Sequence, residues 1–263
     1  MKLLTWNIQH GGGARLAHIV EELAAYDADV IALTEYRVGP GKVLCSAMRE
    51  RGWPYAETTA PTGNENGIVA FSRTPMLRSR PCPVAPEHPA RWLDLDLPEQ
   101  GFGIGVLHIP AAGSSKTHPL NVSKGRYWDT VLRVAAARLH ESFMLIGDWN
   151  TGAHRIDEKG KTFVCAEHFC KLSELGWTDM WRHHNSGTEW TWYSKLKGGA
   201  RGNGFRLDHC FVTPSLAPRI TSCRYSHRER EAGISDHSCL ILEIDRDNRT
   251  NLYWLSAVLG LRL

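Results

Sequence analysis

Residues 143–150 read Phe143-Met144-Leu145-Ile146-Gly147-Asp148-Trp149-Asn150, four apolar residues followed at once by a short polar turn. The apolar run is typical of a buried strand, and glycine at its end favours a turn. Asp148 can take a proton from water, and Asn150 can donate its amide to a phosphate oxygen or a bound water. The alternative is an Asx-turn that only caps the strand.

Apolar runs that end in polar motifs recur along the chain. The other motifs are Trp6-Asn7, Thr34-Glu35, His108-Ile109-Pro110, Arg206-Leu207-Asp208 and Ser235-Asp236-His237. Rigid strands position chemistry on the loops that leave them, so we expect these polar residues to converge on one rim. Glu35 can bind Mg²⁺ there through a carboxylate oxygen, or it simply opens a loop. Carboxylates, amides and imidazoles together favour a hydrolytic metal site.

The periodicity of the apolar residues predicts the fold class. Helical spacing occurs at residues 16–26, 127–140 and 165–175. Short strand-like runs occur at residues 2–6, 30–33, 67–72, 91–97, 103–108, 144–146, 205–212 and 238–244. Because strands outnumber helices, we predict a layered α/β or α+β sandwich. The length of 263 residues and the 42% apolar content, without a break that would mark a linker, favour one domain.

The composition narrows the class of protein. A net charge of +3 is compatible with an anionic partner but does not identify nucleic acid. The 7 cysteines include no CxxC pair, and their odd number leaves at least one unpaired, which favours a reducing compartment. The first residues lack the features of a signal peptide, and no stretch approaches the roughly 20 apolar residues of a membrane helix. We predict a soluble, cytoplasmic protein without a transmembrane segment.

An acid and an imidazole lie side by side in Ser235-Asp236-His237. Adjacent side chains at the start of a strand point to opposite sides, so Asp236 and His237 are expected to have different roles. Asp208 is the best candidate to orient His237, because a carboxylate fixes an imidazole ring and raises its basicity. A surface histidine and a turn aspartate are the alternative, since the chain has 13 histidines.

In their order and spacing, these motifs resemble the endonuclease/exonuclease/phosphatase superfamily from about Lys2 to Ile244. The length and the segments Thr191-Trp192-Tyr193 and Gly204-Phe205-Arg206-Leu207-Asp208 most resemble the exonuclease III-type AP endonucleases. The resemblance implies a four-layer sandwich of two packed mixed β-sheets flanked by helices. It also implies a Mg²⁺-dependent phosphodiesterase, which we expect in residues 1–246. The apolar C-terminal tail at residues 247–263 lies beyond the last strand of the resemblance, which says nothing about it.

The resemblance implies a metal site at the strand ends. Glu35 would be the main ligand, Asn7 would lie beside the metal, and Asp236 would lie near it. Mn²⁺ is an alternative to Mg²⁺, because both accept carboxylate and water ligands. Gln9 stands where related nucleases often have a second acid, so we expect weaker Mg²⁺ binding.

The resemblance also implies roles for five residues in the reaction. His237 would contact the scissile phosphate, and Asp208 would hold His237. Asp148 would orient or deprotonate the attacking water, with the Asn150 amide near the water and phosphate. His108 stands where exonuclease III-type enzymes have tyrosine and deoxyribonuclease I-like enzymes have histidine, and it can assist the leaving group.

Basic residues near an aromatic side chain suggest where DNA would bind. Phe205 can contact an extruded sugar, or it packs inside a strand. Arg37 adds a positive charge just beyond Glu35. The other basic candidates lie around Gly198-Gly199 and are Lys195, Lys197, Arg201 and Arg206.

Three functions remain open at this point. The leading hypothesis is a DNA nuclease acting by direct attack of water, since the chain has no nucleophilic Ser or Cys in a recognisable elbow. The alternative is a phosphatase or phosphodiesterase on a phospholipid headgroup or small phosphoester, motivated by His108 and Gln9. The third is a non-catalytic binding module. For the tail at residues 252–263, we expect packing on the domain, then a homo-oligomer contact, then docking on a membrane surface.

Overall fold

The computed structural model describes residues 1–79, 88–113, 118–196 and 201–245. The strands are β1 (Lys2–Asn7), β2 (Val30–Tyr36), β3 (Tyr55–Thr58), β4 (Gly67–Ser72), β5 (Leu77–Arg78), β6 (Trp92–Leu97), β7 (Phe102–His108), β8 (Phe143–Asp148), β9 (Thr178–Asp179), β10 (Trp192–Lys195), β11 (Arg201–Phe205), β12 (Asp208–Val212), β13 (Ile220–Ser226) and β14 (Cys239–Ile244). The α-helices are α1 (Leu16–Tyr26), α2 (Val38–Glu50), α3 (Pro119–Arg138), α4 (Ala166–Glu174), α5 (Met180–His184) and α6 (Arg228–Glu231). The predicted apolar tail lies outside the described residues.

Two sheets with the same pairing pattern form the centre of the fold. The first has the order β13-β14-β1-β2-β4-β3, and the second has the order β5-β6-β7-β8-β12-β9. In each sheet the two central strands are parallel, β1 with β2 and β7 with β8. Their flanking pairs are antiparallel. β10 and β11 form a separate antiparallel ribbon. The predicted mixed sheets are confirmed.

The strands carry apolar side chains on both faces because each sheet is covered on both sides. In β2, Val30 and Ala32 pack in the core between the sheets, whereas Ile31 and Leu33 face the core under α1 and α2. The outer face of the second sheet packs against α3 and α4 in a third core. Alternate residues of a strand point to opposite faces, so a continuous apolar run is what a doubly covered strand requires. The predicted four-layer sandwich is confirmed.

The predicted strand at residues 205–212 is divided in the structure. β11 ends at Phe205, and β12 begins at Asp208. The intervening amides leave the ladder, because Arg206 N donates to the Asp157 carbonyl at 2.9 Å and Leu207 N donates to Thr191 Oγ1 at 2.9 Å. The chain thereby passes from the ribbon into the second sheet.

Helix boundaries also differ from the prediction. α3 begins at Pro119 rather than near Tyr127, and the His118 side chain caps it by accepting from Leu120 N at 3.2 Å. α2 was not predicted. Within the described residues, no helix is both long and apolar enough to cross a membrane.

The strand register brings the polar motifs to one edge. Asn7 is paired with Thr34 at the ends of β1 and β2, and His108 is paired with Asp148 at the ends of β7 and β8. Asp208 begins β12 directly opposite Asp148. The predicted rim is therefore built from the carboxyl ends of two parallel pairs and the start of one antiparallel strand.

At Gly147, β8 lies so close to β7 that there is no room for a side chain. Its φ is +136°, and a Cβ there would lie 2.1 Å from the Leu107 carbonyl oxygen. Gly147→Ala is expected to lower the free energy of unfolding by about 1–3 kcal/mol, measured by urea titration. Gly125→Ala is the control, because Gly125 lies in α3 and a Cβ there would meet no atom within 4 Å. It should be neutral or stabilising. Equal midpoints for both variants would contradict this account of the turn.

Candidate active site

The start of β12 and the segment before β14 bring an acid and an imidazole together. His237 Nδ1 lies 2.9 Å from Asp208 Oδ2, and both side chains are buried. On the other side of the ring, Nε2 lies 3.9 Å from Asp148 Oδ2. The Trp6 indole N–H donates to the His237 carbonyl at 3.0 Å, and the Tyr225 hydroxyl donates to the Asp208 carbonyl at 2.6 Å. His237 is thus held between two carboxylates.

Burial and these carboxylates set the protonation of the group. Burial alone would lower the pKa of His237, but the carboxylates of Asp208 and Asp148 raise it to about 10. Burial is also the main reason that the pKa of Asp148 rises to about 7, with Asp208 adding to the rise and His237 opposing it. At neutral pH His237 is therefore an imidazolium, and the Asp148 carboxyl group titrates near neutral pH.

Two asparagines fix the orientation of Asp148. Asn7 Nδ2 donates to Asp148 Oδ2 at 2.9 Å, and Asn150 Nδ2 donates to the same oxygen at 3.2 Å. The Asn150 backbone N–H donates to Asp148 Oδ1 at 3.0 Å, which is the Asx-turn expected under the alternative interpretation of this motif. The turn and the site share the same atoms, so a capping role does not exclude a chemical one.

Glu35 occupies a strained position at the end of β2. Its φ is +59°, and the register with β4 shifts between Thr34 and Tyr36. One carboxylate oxygen, Oε2, accepts from His10 N at 2.7 Å and lies 2.9 Å from His10 Nδ1. The other oxygen, Oε1, faces His108. Strain of this kind costs about 1–3 kcal/mol and persists where the surroundings impose it, often at functional sites.

His108 lies between the two proposed acidic residues. Its Nε2 is 3.8 Å from Glu35 Oε1 and 3.8 Å from Asp148 Oδ2. Arg91 Nη1 lies 3.2 Å from both ring nitrogens. Burial, and next the positive charge of Arg91, lower the pKa of His108 well below its usual value. His108 is therefore a neutral imidazole, in contrast to His237.

The buried Lys124 side chain binds two loops of the rim, although no sequence motif indicated this role. Its buried ammonium donates to the Pro110 carbonyl at 3.0 Å and to the Asn150 carbonyl at 2.6 Å. Burial lowers its pKa to about 8. One available signal was its spacing from Tyr127 and Trp128, which places all three on the buried face of α3. Lys124 joins the loops that carry His108 and Asn150.

Asp236 points away from His237, as expected for adjacent residues. The Trp192 indole N–H donates to Asp236 Oδ2 at 3.2 Å. Asp236 lines a cleft next to the ribbon, together with Gln9 and Tyr193. Its predicted position near a metal stays a prediction.

The residues that were predicted to contact DNA differ in their exposure to solvent. Lys195 and Arg201 are exposed on the ribbon, and Lys197 lies outside the described residues. Phe205 is half-buried, with its ring centroid 5.8 Å from that of Trp192 and 5.7 Å from that of Phe163. Arg37 lies at the rim, where Nη2 is 3.0 Å from His10 Nδ1.

The prediction that Arg206 contacts substrate does not agree with its position. Arg206 is 0% exposed. Its Nε donates to Asp157 Oδ1 at 2.7 Å, and Nη2 donates to Asp179 Oδ2 at 2.5 Å. A buried guanidinium that is engaged by two carboxylates is not available to a phosphate outside. Arg206 instead fixes the chain immediately before Asp208.

The donor chemistry at the rim fits a hard divalent cation. Ligand atoms of Asp148, Asp208 and His237 lie within 4.8 Å of one another. His237 is protonated and committed to Asp208, so this trio serves hydrogen bonding better than metal coordination. Glu35 Oε1 fits better, because it lies 3.8 Å from His108 Nε2, which is equally far from Asp148 Oδ2, and it has no hydrogen-bond donor among the described residues. Carboxylate oxygens suit Mg²⁺ and Mn²⁺.

Comparison with known proteins identifies the family. The profile described as the Endonuclease/Exonuclease/phosphatase family matches residues 4–237, and the chain belongs to that family. A DNA-(apurinic or apyrimidinic site) endonuclease of Dictyostelium discoideum is 26% identical over 260 residues, which cover 93% of this chain and 71% of the relative. The predicted superfamily membership and its exonuclease III-like character are confirmed.

Three solved structures share the fold. An AP endonuclease from Archaeoglobus fulgidus has a TM-score of 0.79 at 22% identity, with 93% of this chain and 99% of that chain covered. A 3'-5' exonuclease from Neisseria meningitidis has a TM-score of 0.78 at 22% identity, with 93% and 100% covered. A 3' phosphatase from Neisseria, bound to its product DNA hairpin, has a TM-score of 0.77 at 21% identity, with 93% and 99% covered.

The Arg206 ion pairs predict a dependence of stability on acid. Burial raises the pKa of Asp157, but Arg206, together with His209 and Arg182, outweighs burial and lowers the pKa to about 2. A carboxyl group with a depressed pKa stabilises the fold above its unfolded pKa and loses that contribution as pH falls. We therefore expect roughly 2 kcal/mol from Asp157 to disappear between about pH 4 and pH 2.

Arg206→Met tests whether the ion pairs of Arg206 stabilise the fold. The substitution leaves Asp179 without an ion pair among the described residues and leaves Asp157 with Arg182 as its remaining cation. The free energy of unfolding at pH 7 should therefore fall by about 3 kcal/mol. Arg133→Met is the control, because Arg133 is exposed on α3. Denaturant titrations at pH 7 and pH 3 measure both effects. If Arg206→Met is as stable as the control variant at pH 7, the ion pairs do not have this role.

Proposed function

We propose that the protein is a metal-dependent phosphodiesterase of exonuclease III type, which cleaves DNA by direct attack of water. The observation that carries the proposal is a buried group of three side chains, in which His237 lies between the carboxylates of Asp208 and Asp148. It combines an imidazolium held by one carboxylate with a second carboxylate whose pKa lies near 7. A phosphodiester is anionic, so its hydrolysis requires both a base for water and positive charge near the phosphate.

Asp148 is suited to act as the base. Its hydrogen bonds with Asn7 and Asn150 hold the carboxylate in one orientation, which is what proton transfer from a positioned water requires. A base works best when its pKa lies near the working pH, and burial brings Asp148 into that range.

His237 is suited to stabilise charge on the phosphate. The Asp208 carboxylate fixes Nδ1 and keeps the ring protonated, so Nε2 is a charged hydrogen-bond donor. Fixed donors aimed at developing negative charge stabilise a transition state without reorganisation. His108 is neutral and buried beside both acids, so it can donate a hydrogen bond near the leaving group without repelling a cation.

Glu35 would hold the divalent metal, with the neighbouring Asn7 as a further contact and Asp236 at the edge of the site. When bound, Mg²⁺ or Mn²⁺ would neutralise charge on the phosphate. Gln9 in place of a second acid leaves this site with fewer negative charges, which favours weak binding.

DNA is the substrate class that several independent features support. The curated relative is named for action at apurinic or apyrimidinic sites in DNA, and one structural relative was solved with a DNA hairpin. The ribbon next to the site exposes Lys195 and Arg201, and exposed positive charge is suited to a phosphate backbone. These features favour DNA over the phospholipid headgroup or small phosphoester alternative. A role in DNA repair follows from the same relatives.

A cytoplasmic location belongs to the same proposal. Every cysteine within the described ranges is a free thiol, which suits a reducing compartment.

An activity panel tests the proposed function. His237→Ala should lower kcat/KM by roughly 10²–10⁴, and Glu35→Ala should remove the response to added Mg²⁺. The substrates are an abasic-site duplex, a nicked duplex, a single strand and a phosphomonoester, each with Mg²⁺ or EDTA.

Exposed residues of the same types provide the controls. His140→Ala and Glu21→Ala should keep wild-type activity, because both side chains are exposed and lie away from the rim. Full activity of His237→Ala, or cleavage in EDTA, would contradict the mechanism. Hydrolysis of the phosphomonoester alone would favour the phosphatase alternative.

A further inference from the structure

A cleft of about 300 Å³ lies beside the proposed active site, between the β10–β11 ribbon and the loop before β14. We call it the ribbon cleft. Gln9, Ser235 and Asp236 line the side that adjoins the catalytic rim. The opposite side carries positive charge and is lined by Lys195, Arg201 and Arg230 around Tyr193.

Two arginines from different elements meet at one tyrosine ring. The Arg201 guanidinium carbon lies 3.9 Å from the centroid of the Tyr193 ring, and the Arg230 guanidinium carbon lies 4.8 Å from it. Arg201 begins β11 and Arg230 belongs to α6, so the ring joins the ribbon to the segment before His237. Guanidinium groups stacked on a ring lose less freedom when they bind a ligand.

Arg201 and Arg230 lie close enough together that their positive charges repel each other, which favours binding of an anion. Burial, and the positive charge of Arg201, lower the pKa of Arg230, with Tyr193 opposing the change. Arg230 Nε is buried without a hydrogen-bond partner among the described residues. Like charges held close together destabilise each other, and an unpaired buried donor costs free energy. Arg230 Nη1 already donates to the Trp190 carbonyl, which fixes the guanidinium group. A bound anion would offset the repulsion between the two arginines.

We infer that the ribbon cleft binds a phosphate of the substrate strand other than the one that is cleaved, with Arg201 and Arg230 as donors and Lys195 adding charge. Guanidinium groups are suited to phosphate because their N–H groups match its oxygens in pairs. The Tyr193 ring already carries two guanidinium groups, so it is less suited to stack on a base. Asp236 would repel the phosphate from the catalytic side and confine it to the basic side. This inference rests on the proposed action on DNA.

Binding in EDTA tests the ribbon cleft without cleavage. Fluorescence anisotropy with a labelled duplex should show that Arg230→Gln weakens binding roughly 10-fold. The slope of log K against log salt should also decrease by about 1, because one phosphate contact is lost. Arg201→Gln, on the exposed ribbon, is the second variant and should act in the same direction. Thermal melting monitors the folding of each variant.

Matched controls separate the cleft from general charge. Arg133→Gln removes the same charge from the exposed face of α3 and should leave the salt slope unchanged. Arg230→Lys retains the charge without the paired N–H groups, so its affinity should lie between those of wild type and Arg230→Gln. Salt slopes for both glutamine variants of the cleft that equal the wild-type slope would overturn the inference.

A scan of the DNA backbone locates the phosphate. A duplex series carries one neutral methylphosphonate at each position in turn. Wild type should lose affinity at a position near the scissile bond, and Arg230→Gln should be insensitive at that same position. Identical profiles for the two proteins would overturn the inference while the proposed function stands. If wild type binds no DNA at any salt concentration, both the inference and the proposed function are wrong.

Discussion

The proposed site depends on two buried hydrogen bonds that cross from one sheet to the other. Asp208 belongs to the second sheet and His237 precedes the last strand of the first, while Asn7 of the first sheet donates to Asp148 of the second. Charged groups away from water destabilise a protein unless they are paired and hydrogen-bonded. Each sheet therefore supplies partners that the other requires. The core between the sheets sets the geometry of the site. Loosening that core would therefore disturb the protonation of His237 and Asp148 as well as the stability of the fold.

The same constraint explains the contrast between two buried histidines. His237 lies between Asp148 and Asp208, whose carboxylates keep it charged. His108 is kept neutral first by burial and next by the positive charge of Arg91. Two imidazoles at the same rim can therefore have different roles. The strained backbone of Glu35 belongs to this arrangement, because its φ is +59° and its Oε1 lies 3.8 Å from His108 Nε2.

Much of the fold and some of the site could be predicted from local sequence. Strands covered on both faces give continuous apolar runs, so the strands ending at Asn7, Glu35 and Asp148 were evident. α2 was missed because Gly39-Pro40-Gly41 in its first turn contradicts helix propensity. β13 was missed because burial alternates with exposed polar residues at the edge of a sheet. Arg206 was misassigned because its partners Asp157 and Asp179 are distant in sequence. Lys124 was overlooked because a lysine is rarely buried, although its spacing from Tyr127 and Trp128 placed it on the buried face of α3.

The protonation of His237 in the metal-free protein is the most direct test of the central claim. Nitrogen-15 chemical shifts of its ring, followed by NMR over pH 5 to 10 in wild type and Asp208→Asn, measure the pKa. The account predicts an imidazolium in wild type throughout the neutral range, since the pKa is raised to about 10, and a lower pKa in the variant. A wild-type ring that titrates near 6.5, with no change in Asp208→Asn, would contradict the claim.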